Sequence, residues 1–343
     1  MKISVENEAK LIEEILIAYD VKENEAKIVA DVITDGDLKG FSTHGLGRFP
    51  QYIQSINQGF IKTEGDIEIE KETVATALIN GNHKFGHYVT VKAMDLAVKK
   101  ASETGVGIVG IHDSNHYGIA GYYADLASLQ DMIGIVISNT EPAMAPFGGK
   151  KALLGTNPIT ISIPSDDIHT YICVDMATSI TARGTLLQAK RKNESIPEGF
   201  ALDKDGNPTT DPEEGLNGSI LPFGGFKGYA LAFMFELLAG PLVAAEVGEG
   251  VRGTANPNEI CTKGDLLIVI DPEHFAGSMQ FKFFVDQFIR EIREENGVIP
   301  GDREVQNIGE NKENGISVDP ALYEQLTDIA EEKGLNIESY FEE

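Results

Sequence analysis

The sequence predicts an α/β fold with a middle of mixed strands and helices and two helical ends. Three observations lead there. The segments ATALIN, VGIVGIH, MIGIVISN, ITISIP, YICVDMA and DLLIVIDP are short, rich in Ile and Val, and bounded by Gly, Pro, Asn or Asp, as strands are. Helical runs separate some of them, notably VTVKAMDLAVKKASE and residues 228–248. Residues 7–39 and the late stretch PALYEQLTDIAEEKG carry apolar side chains at helical spacing instead.

Taken in order, Leu11, Ile12, Ile15, Leu16 and Tyr19 mark a first amphipathic helix, and Ile28, Val29, Val32 and Ile33 a second. QYIQSINQG follows the segment GFSTHGLGRFP as a further helix, closed by Gly59. The strand-rich middle comes next. Residues 201–218, ALDKDGNPTTDPEEGLNG, are turn chemistry and predict a long surface loop. FKFFVDQFIREIREE is helical, and PGDRE at 300–304 precedes the last helix. Charge-rich helices at both ends can pack together. The expected division is a discontinuous helical domain, 1–65 with 300–343, around a mixed-sheet region at 66–299.

Composition narrows the function. The chain has 343 residues, 42% hydrophobic and 24% charged, enough for a large core. Its net charge of −26 repels phosphate backbones and anionic lipid, so nucleic acid and membrane are not expected partners. An anionic substrate would need a local cluster of Arg, Lys or His. Cys173 and Cys261 show no metal or redox spacing and suit a reducing cytoplasm. MKISVENEAKLIEE has no apolar signal core, and Glu236, Gly240 and Pro241 interrupt the apolar run at 228–248. The expectation is a soluble, cytoplasmic protein with an apolar core or interface helix.

Four motifs bear on chemistry. GVGIVG, Gly105 to Gly110, fits the dinucleotide fingerprint, but a helix precedes it and a strand carries it, the reverse of the required order. Its glycines read as a helix cap and a tight strand entry. In HDSNHYGIAGYYADLA, His116 sits at a strand-to-helix junction, with Ser114 or Asn115 as the expected N-cap. His116 can be a proton-transfer group, a structural histidine, or half of a metal pair with His112. In GFSTHGLGRFP, a helical turn would put His44 and Arg48 on one face, and an arginine fork suits a carboxylate. GGFKG opens the apolar helix with Lys227 and Gly228, which suits a phosphate or a plain glycine turn equally.

These pieces form an ordered series. STHGLGR, SNHYG, SNTEPAMAPFGG, LGTNPI, DMATS followed by ARG, LDKDGNPTTDP and GGFKGYALA resemble the malate/L-lactate dehydrogenase family of the second type, from about residue 5 to about 335. The resemblance implies a non-Rossmann, mixed-sheet NAD(P)-binding fold and a homodimer with sites near the subunit interface. It implies hydride transfer between NAD(P)H and the C2 carbonyl of a small anionic 2-oxo acid, with NAD as cofactor and NADP as the alternative. The likeness leans to the archaeal branch acting on L-sulfolactate, in coenzyme M biosynthesis, with L-malate or L-lactate as the alternative.

The roles carried over are specific. His116 would be the acid/base, Arg48 would hold the substrate carboxylate, and His44 would lie beside it. Asn115, Arg183 and the helix start expected after Ser114 are candidates for a second anionic group of the substrate. Asp175, Met176, Ala177, Thr178 and Ser179 would line the cofactor with Lys227 and Gly228, near Gly301, Asp302 and Arg303. No metal is expected. Some relatives carry a lysine and an aspartate where this chain has Thr140 and Glu141, which puts any substrate role there in doubt. Two rival classes remain: a metal-dependent hydrolase or lyase on His112 and His116, and a non-catalytic scaffold built on the 228–248 helix.

Overall fold

A computed structural model describes residues 1–167 and 170–342. Its centre is a seven-stranded sheet in the order Glu68–Glu72, Thr76–Asn80, Val106–His112, Asp265–Ile270, Ile133–Ser138, Ile159–Ile163 and Ile172–Met176. Thr76–Asn80 and Val106–His112 run parallel, joined by the Gly86–Thr104 helix, and the other neighbours are antiparallel. The mixed α/β sheet expected from the sequence is present.

Side-chain alternation explains why helices cover both faces. Val109, Val136, Leu267 and Val269 face one side, where they pack with Val89, Ala93 and Ala97 of the Gly86–Thr104 helix and Ala124 of the Ala120–Ser128 helix. Ile108, Ile135 and Ile268 turn to the other side, against Phe235, Ala239 and Val243. Gly105 caps the Gly86–Thr104 helix at φ +85°, and a Cβ on Gly107 would lie 1.9 Å from the Ala97 carbonyl oxygen. The glycines of GVGIVG therefore bring a helix onto a strand.

The chain ends meet. Lys2–Ile3 pairs with both Ile316–Ser317 and Phe341–Glu342. Leu11, Ile12, Ile15 and Leu16 share one apolar cluster with Ile33, Phe49, Tyr52, Leu326 and Ala330, and with Phe85 and Tyr88 from the middle of the chain.

Several expectations need correction. The helix after SNHYG starts at Ala120 with Ile119 as its N-cap, not after Ser114 or Asn115. The Asn115 side chain is committed elsewhere, and Gly118 at φ +77° breaks a helical path. Residues 201–218 are not a bare loop: Ala201–Leu202 pairs with Pro208–Thr209 and with Ser219–Ile220, and Asp211 caps a short Pro212–Asn217 helix. Glu68–Glu72 is an exposed edge strand with no apolar alternation to reveal it. The helices Arg183–Lys192 and Asp302–Asn314 were also not expected. The first buries only Leu186 and the second no residue, so neither carries an apolar stripe.

Phe226–Val243 is apolar and long enough by composition to cross a membrane, but its α-helix ends at Ala239 and seats Ala232, Phe235 and Ala239 on the fold. Its other side is not core. Phe226, Phe233, Met234 and Leu237 are exposed.

Candidate active site

The His44–Arg48 turn rests on a buried carboxylate. Asp37, near the end of the Glu23–Leu38 helix, accepts the Leu46 amide, and a Cβ on Gly45 would lie 2.1 Å from the Asp37 carboxylate oxygen. A side chain there would displace the Asp37 carboxylate from the Leu46 amide. Burial pushes Asp37 up to about 6, and the neighbouring Glu8 carboxyl is raised well above its usual range by burial and by Asp37. Leu46–Arg48 is a 3-10 turn, and the α-helix runs Phe49–Asn57 with Pro50 in its first turn. His44 therefore precedes the helix rather than sharing a regular helical face with Arg48.

His116 lies in the loop between Val106–His112 and Ala120–Ser128. Asn115 pins this loop: its amide donates to the carbonyls of Phe60, His83 and Lys84 at 3.3, 2.8 and 3.0 Å. That nitrogen is thus committed to backbone, a different task from the substrate contact the sequence suggested. The His116 Nδ1 accepts the Gly118 N–H at 3.2 Å and lies 2.7 Å from the Tyr52 hydroxyl. An amide can only donate, so neutral His116 carries its proton on Nε2.

The imidazole of His44 stacks on that of His116, with centroids 5.5 Å apart and planes at 26°. Burial and the Arg48 charge pull His44 down to about 4. Burial, Arg48 and His44 hold His116 well below its ordinary value. Arg48 donates to the Thr254 carbonyl, while its buried Nε–H has no partner among the described residues. The result is two neutral imidazoles beside a guanidinium with an unused donor, an arrangement that suits an anion.

Sequence reasoning passed over four neighbours. Tyr52 stands four residues beyond Arg48 and eight beyond His44, a spacing that could have flagged it. His87 packs edge-on to Tyr52 at 4.9 Å, and burial holds it at about 3. Lys263 and Asp265 form a buried ion pair at 2.6 Å, with the Lys263 ammonium 4.1 Å from the centre of the Tyr117 ring. No sequence pattern marks that pair, because the Asp265–Ile270 strand joins the sheet from far along the chain.

The expected cofactor residues gather along one strand. Asp175 accepts the Gly121 amide at 2.7 Å and the Thr160 hydroxyl at 2.8 Å, tying the strand end to the helix that follows the His116 loop. Beyond it, Met176 is exposed, and Thr178 and Ser179 are buried between the Thr156 and Leu221–Phe223 segments. A Cβ on Gly228 would lie 2.6 Å from the Thr178 carbonyl oxygen, so the GGFKG turn is pressed onto DMATS. Gly224 and Gly225 have positive φ, and Lys227 is exposed in the first turn of the following helix. The Lys227, Gly228 and Tyr229 amides are bonded to the Gly224, Phe223 and Gly225 carbonyls, so it is the positive end of the helix, the glycine turn and the exposed lysine that fit the phosphates of a nicotinamide dinucleotide.

At the other end of the strand, Cys173 donates its amide to the Pro300 carbonyl, and a Cβ on Gly301 would lie 2.2 Å from the Tyr171 carbonyl oxygen. Arg303 is exposed there. The Asp302 carboxylate is already taken by Arg293 and the Ile299 amide.

Other candidates are held apart from this cluster. The His112 ring nitrogens meet Glu70 and Asp113 at 3.1 and 3.0 Å. Among the described residues no group of three or more His, Cys, Asp or Glu could hold a metal ion. Arg183 donates to the Leu216 carbonyl, although its helix starts close to Thr43. Glu141 accepts the amides of Ala255 and Asn256, bracing the segment whose Thr254 carbonyl anchors Arg48.

The sequence model for malate/L-lactate dehydrogenase matches residues 3–327. The chain belongs to the malate/L-lactate dehydrogenase family. It is 62% identical over 340 residues to the malate/(S)-sulfolactate dehydrogenase of Methanothermus fervidus, covering 98% of this chain and 99% of that one. It is 58% identical over 339 residues to the L-sulfolactate dehydrogenase of Methanothermobacter thermautotrophicus, again covering 98% and 99%. The solved sulfolactate dehydrogenase of Methanocaldococcus jannaschii superposes with a TM-score of 0.95 at 52% identity and covers both chains completely. As a malate/L-lactate dehydrogenase family member, the chain is an oxidoreductase of 2-hydroxy acids that works with a nicotinamide cofactor.

Proposed function

We propose that this dehydrogenase interconverts L-sulfolactate and sulfopyruvate with NAD(H), as a step of coenzyme M biosynthesis, with L-malate or L-lactate as the alternative substrate and NADP(H) as the alternative cofactor. The observation that carries this reading is the buried Nε–H of Arg48, without a partner among the described residues, beside the stacked His44 and His116. The names of the most similar relatives support the choice of substrate.

The nicotinamide, when bound, supplies the hydride in one direction and accepts it in the other. Asp175 to Ser179, Lys227, Gly228, and the Gly301–Arg303 turn would hold that cofactor, Asp302 by bracing the turn through Arg293. Arg48 binds the substrate carboxylate and orients the C2 carbonyl. His116 presents Nε2, since Nδ1 is covered by Gly118 and Tyr52. In reduction the Nε2 proton of the imidazolium passes to the C2 oxygen, leaving the ring neutral with its remaining proton on Nδ1, and in oxidation the bare Nε2 of that tautomer takes the proton back. The two negative groups of the substrate offset the Arg48 charge, so His116 takes up a proton as the substrate binds. His44, held neutral, adds no competing charge.

The exposed Phe226, Phe233, Met234 and Leu237 support a homodimer in which a second copy covers this helix. The pairing of both chain ends supports a discontinuous terminal unit, and the acidic surface suits the cytoplasm. The deciding experiment follows NADH and NADPH consumption with sulfopyruvate, oxaloacetate and pyruvate, each with and without EDTA. EDTA-insensitive turnover, highest in kcat/KM with sulfopyruvate and NADH, is the expected result. Preference for oxaloacetate or pyruvate would replace the substrate, and loss of activity with EDTA would revive the metal reading.

A further inference from the structure

The Tyr52 hydroxyl lies 2.7 Å from His116 Nδ1, nearer than the Gly118 amide at 3.2 Å. The two partners differ in what they can do. An amide N–H only donates, so it serves Nδ1 only while that nitrogen is bare. A phenol both donates and accepts. We infer that Tyr52 is the positioning residue of His116, its hydroxyl donating to bare Nδ1 and accepting from protonated Nδ1 as the ring changes charge. This rests on the reading of His116 as the acid/base.

The proton count shows why such a partner is needed. When imidazolium acts as acid, its Nε2–H bond breaks and an O–H bond forms on the C2 oxygen of the substrate. The ring is left neutral with its remaining proton on Nδ1. Gly118 cannot accept that proton contact, and the Tyr52 oxygen can. Tyr52 keeps its own proton throughout, and burial pushes its phenol well above the usual range.

The surroundings fix the direction of the hydroxyl. The Tyr52 ring is buried, with Phe85 at 6.3 Å and 70° and His87 at 4.9 Å and 88°, both edge-on. Arg48 is the N-cap of the Phe49–Asn57 helix and Tyr52 stands one turn into it, so the start of that helix places the carboxylate anchor and the His116 partner together.

The test is Tyr52→Phe, which keeps the ring and removes the hydroxyl. The full-length enzyme, labelled with 15N-histidine and assigned with His116→Gln, is titrated while the His116 nitrogen shifts are read. Initial rates over the same pH range run in parallel. The expected wild-type spectrum shows Nδ1 as a hydrogen-bonded acceptor in neutral His116. In Tyr52→Phe, His116 titrates at lower pH, kcat falls about tenfold and KM for the 2-oxo acid stays within about twofold.

Unchanged kcat and unchanged nitrogen shifts in Tyr52→Phe would overturn the assignment. So would a rise in KM alone, which would make Tyr52 a substrate contact. If the variant loses its melting transition, the wild-type spectrum decides, because a bare Nδ1 without a hydrogen bond contradicts the geometry. A wild type that turns over no 2-oxo acid sinks the proposed function instead, while the spectrum still settles the Tyr52–His116 contact.

Discussion

The Gly121 amide donates to the Asp175 carboxylate at 2.7 Å, joining the helix behind the His116 loop to the strand that leads to DMATS. One hydrogen bond thus joins the proposed acid/base side of the site to its proposed cofactor side. Asp175→Ala strands this amide and the Thr160 hydroxyl. Unfolding free energy in urea is expected to fall by about 1–3 kcal/mol, and NADH affinity in a fluorescence titration to fall with it. Asp175→Asn retains an acceptor, and burial already raises the Asp175 carboxyl, so this variant is expected to lose less on both measures.

His116 and Arg48 separate by their kinetics. His116→Ala is expected to lose ~10²–10⁴ in kcat while NADH still binds. Arg48→Ala mainly raises KM for the 2-oxo acid, and Arg48→Lys does not restore it, because an ammonium lacks the fork and cannot both reach Thr254 and hold a carboxylate. Normal turnover by His116→Ala would remove that residue from the mechanism.

Acid should weaken the fold through His44. Its folded pKa of about 4 lies below the ordinary 6.5, so between these values the unfolded chain binds more protons and stability falls as pH falls. Asp37, raised to about 6 from 3.8, acts oppositely, since its stabilising contribution is lost as pH rises through that window. Comparing wild type with His44→Gln isolates the first effect. The difference in Tm is expected to be constant above pH 7 and to move in favour of the variant from about 6.5 down to 4. A parallel pair of curves would contradict the depressed His44.

Lys263 and Asp265 test the buried ion pair. Lys263→Met alone leaves a buried carboxylate and is expected to cost about 3–5 kcal/mol in a denaturant titration. The double variant Lys263→Met, Asp265→Leu removes both charges and should recover most of that loss. Equal destabilisation of single and double variants would show that the Lys263 contact with the Tyr117 ring matters more than the charge balance.

Much of this could be read from the chain alone. The Ile- and Val-rich runs and the helical stripe from Leu11 to Tyr19 report their own burial, so those elements were legible. The motif series located His44, Arg48, His116 and DMATS. Tyr52 was missed although its spacing follows Arg48, and the helix after SNHYG was begun too early. In both cases the deciding contact is with residues distant in sequence, Tyr52 with His116 and Asn115 with Phe60, His83 and Lys84. The helices Arg183–Lys192 and Asp302–Asn314 bury almost nothing, so they leave no apolar signal to read.

By itself the sequence determined what is local: which stretches form strands or helices, where glycine is required, and which side chains can move a proton or hold an anion. Only the tertiary structure decided which of those side chains meet. The stacking of His44 on His116, the Tyr52 contact at Nδ1 and the Lys263–Asp265 pair arise where sheet and terminal helices bring separate segments together. The shifted acidities follow the same rule, because desolvation and the Arg48 charge act through space and leave no mark along the chain.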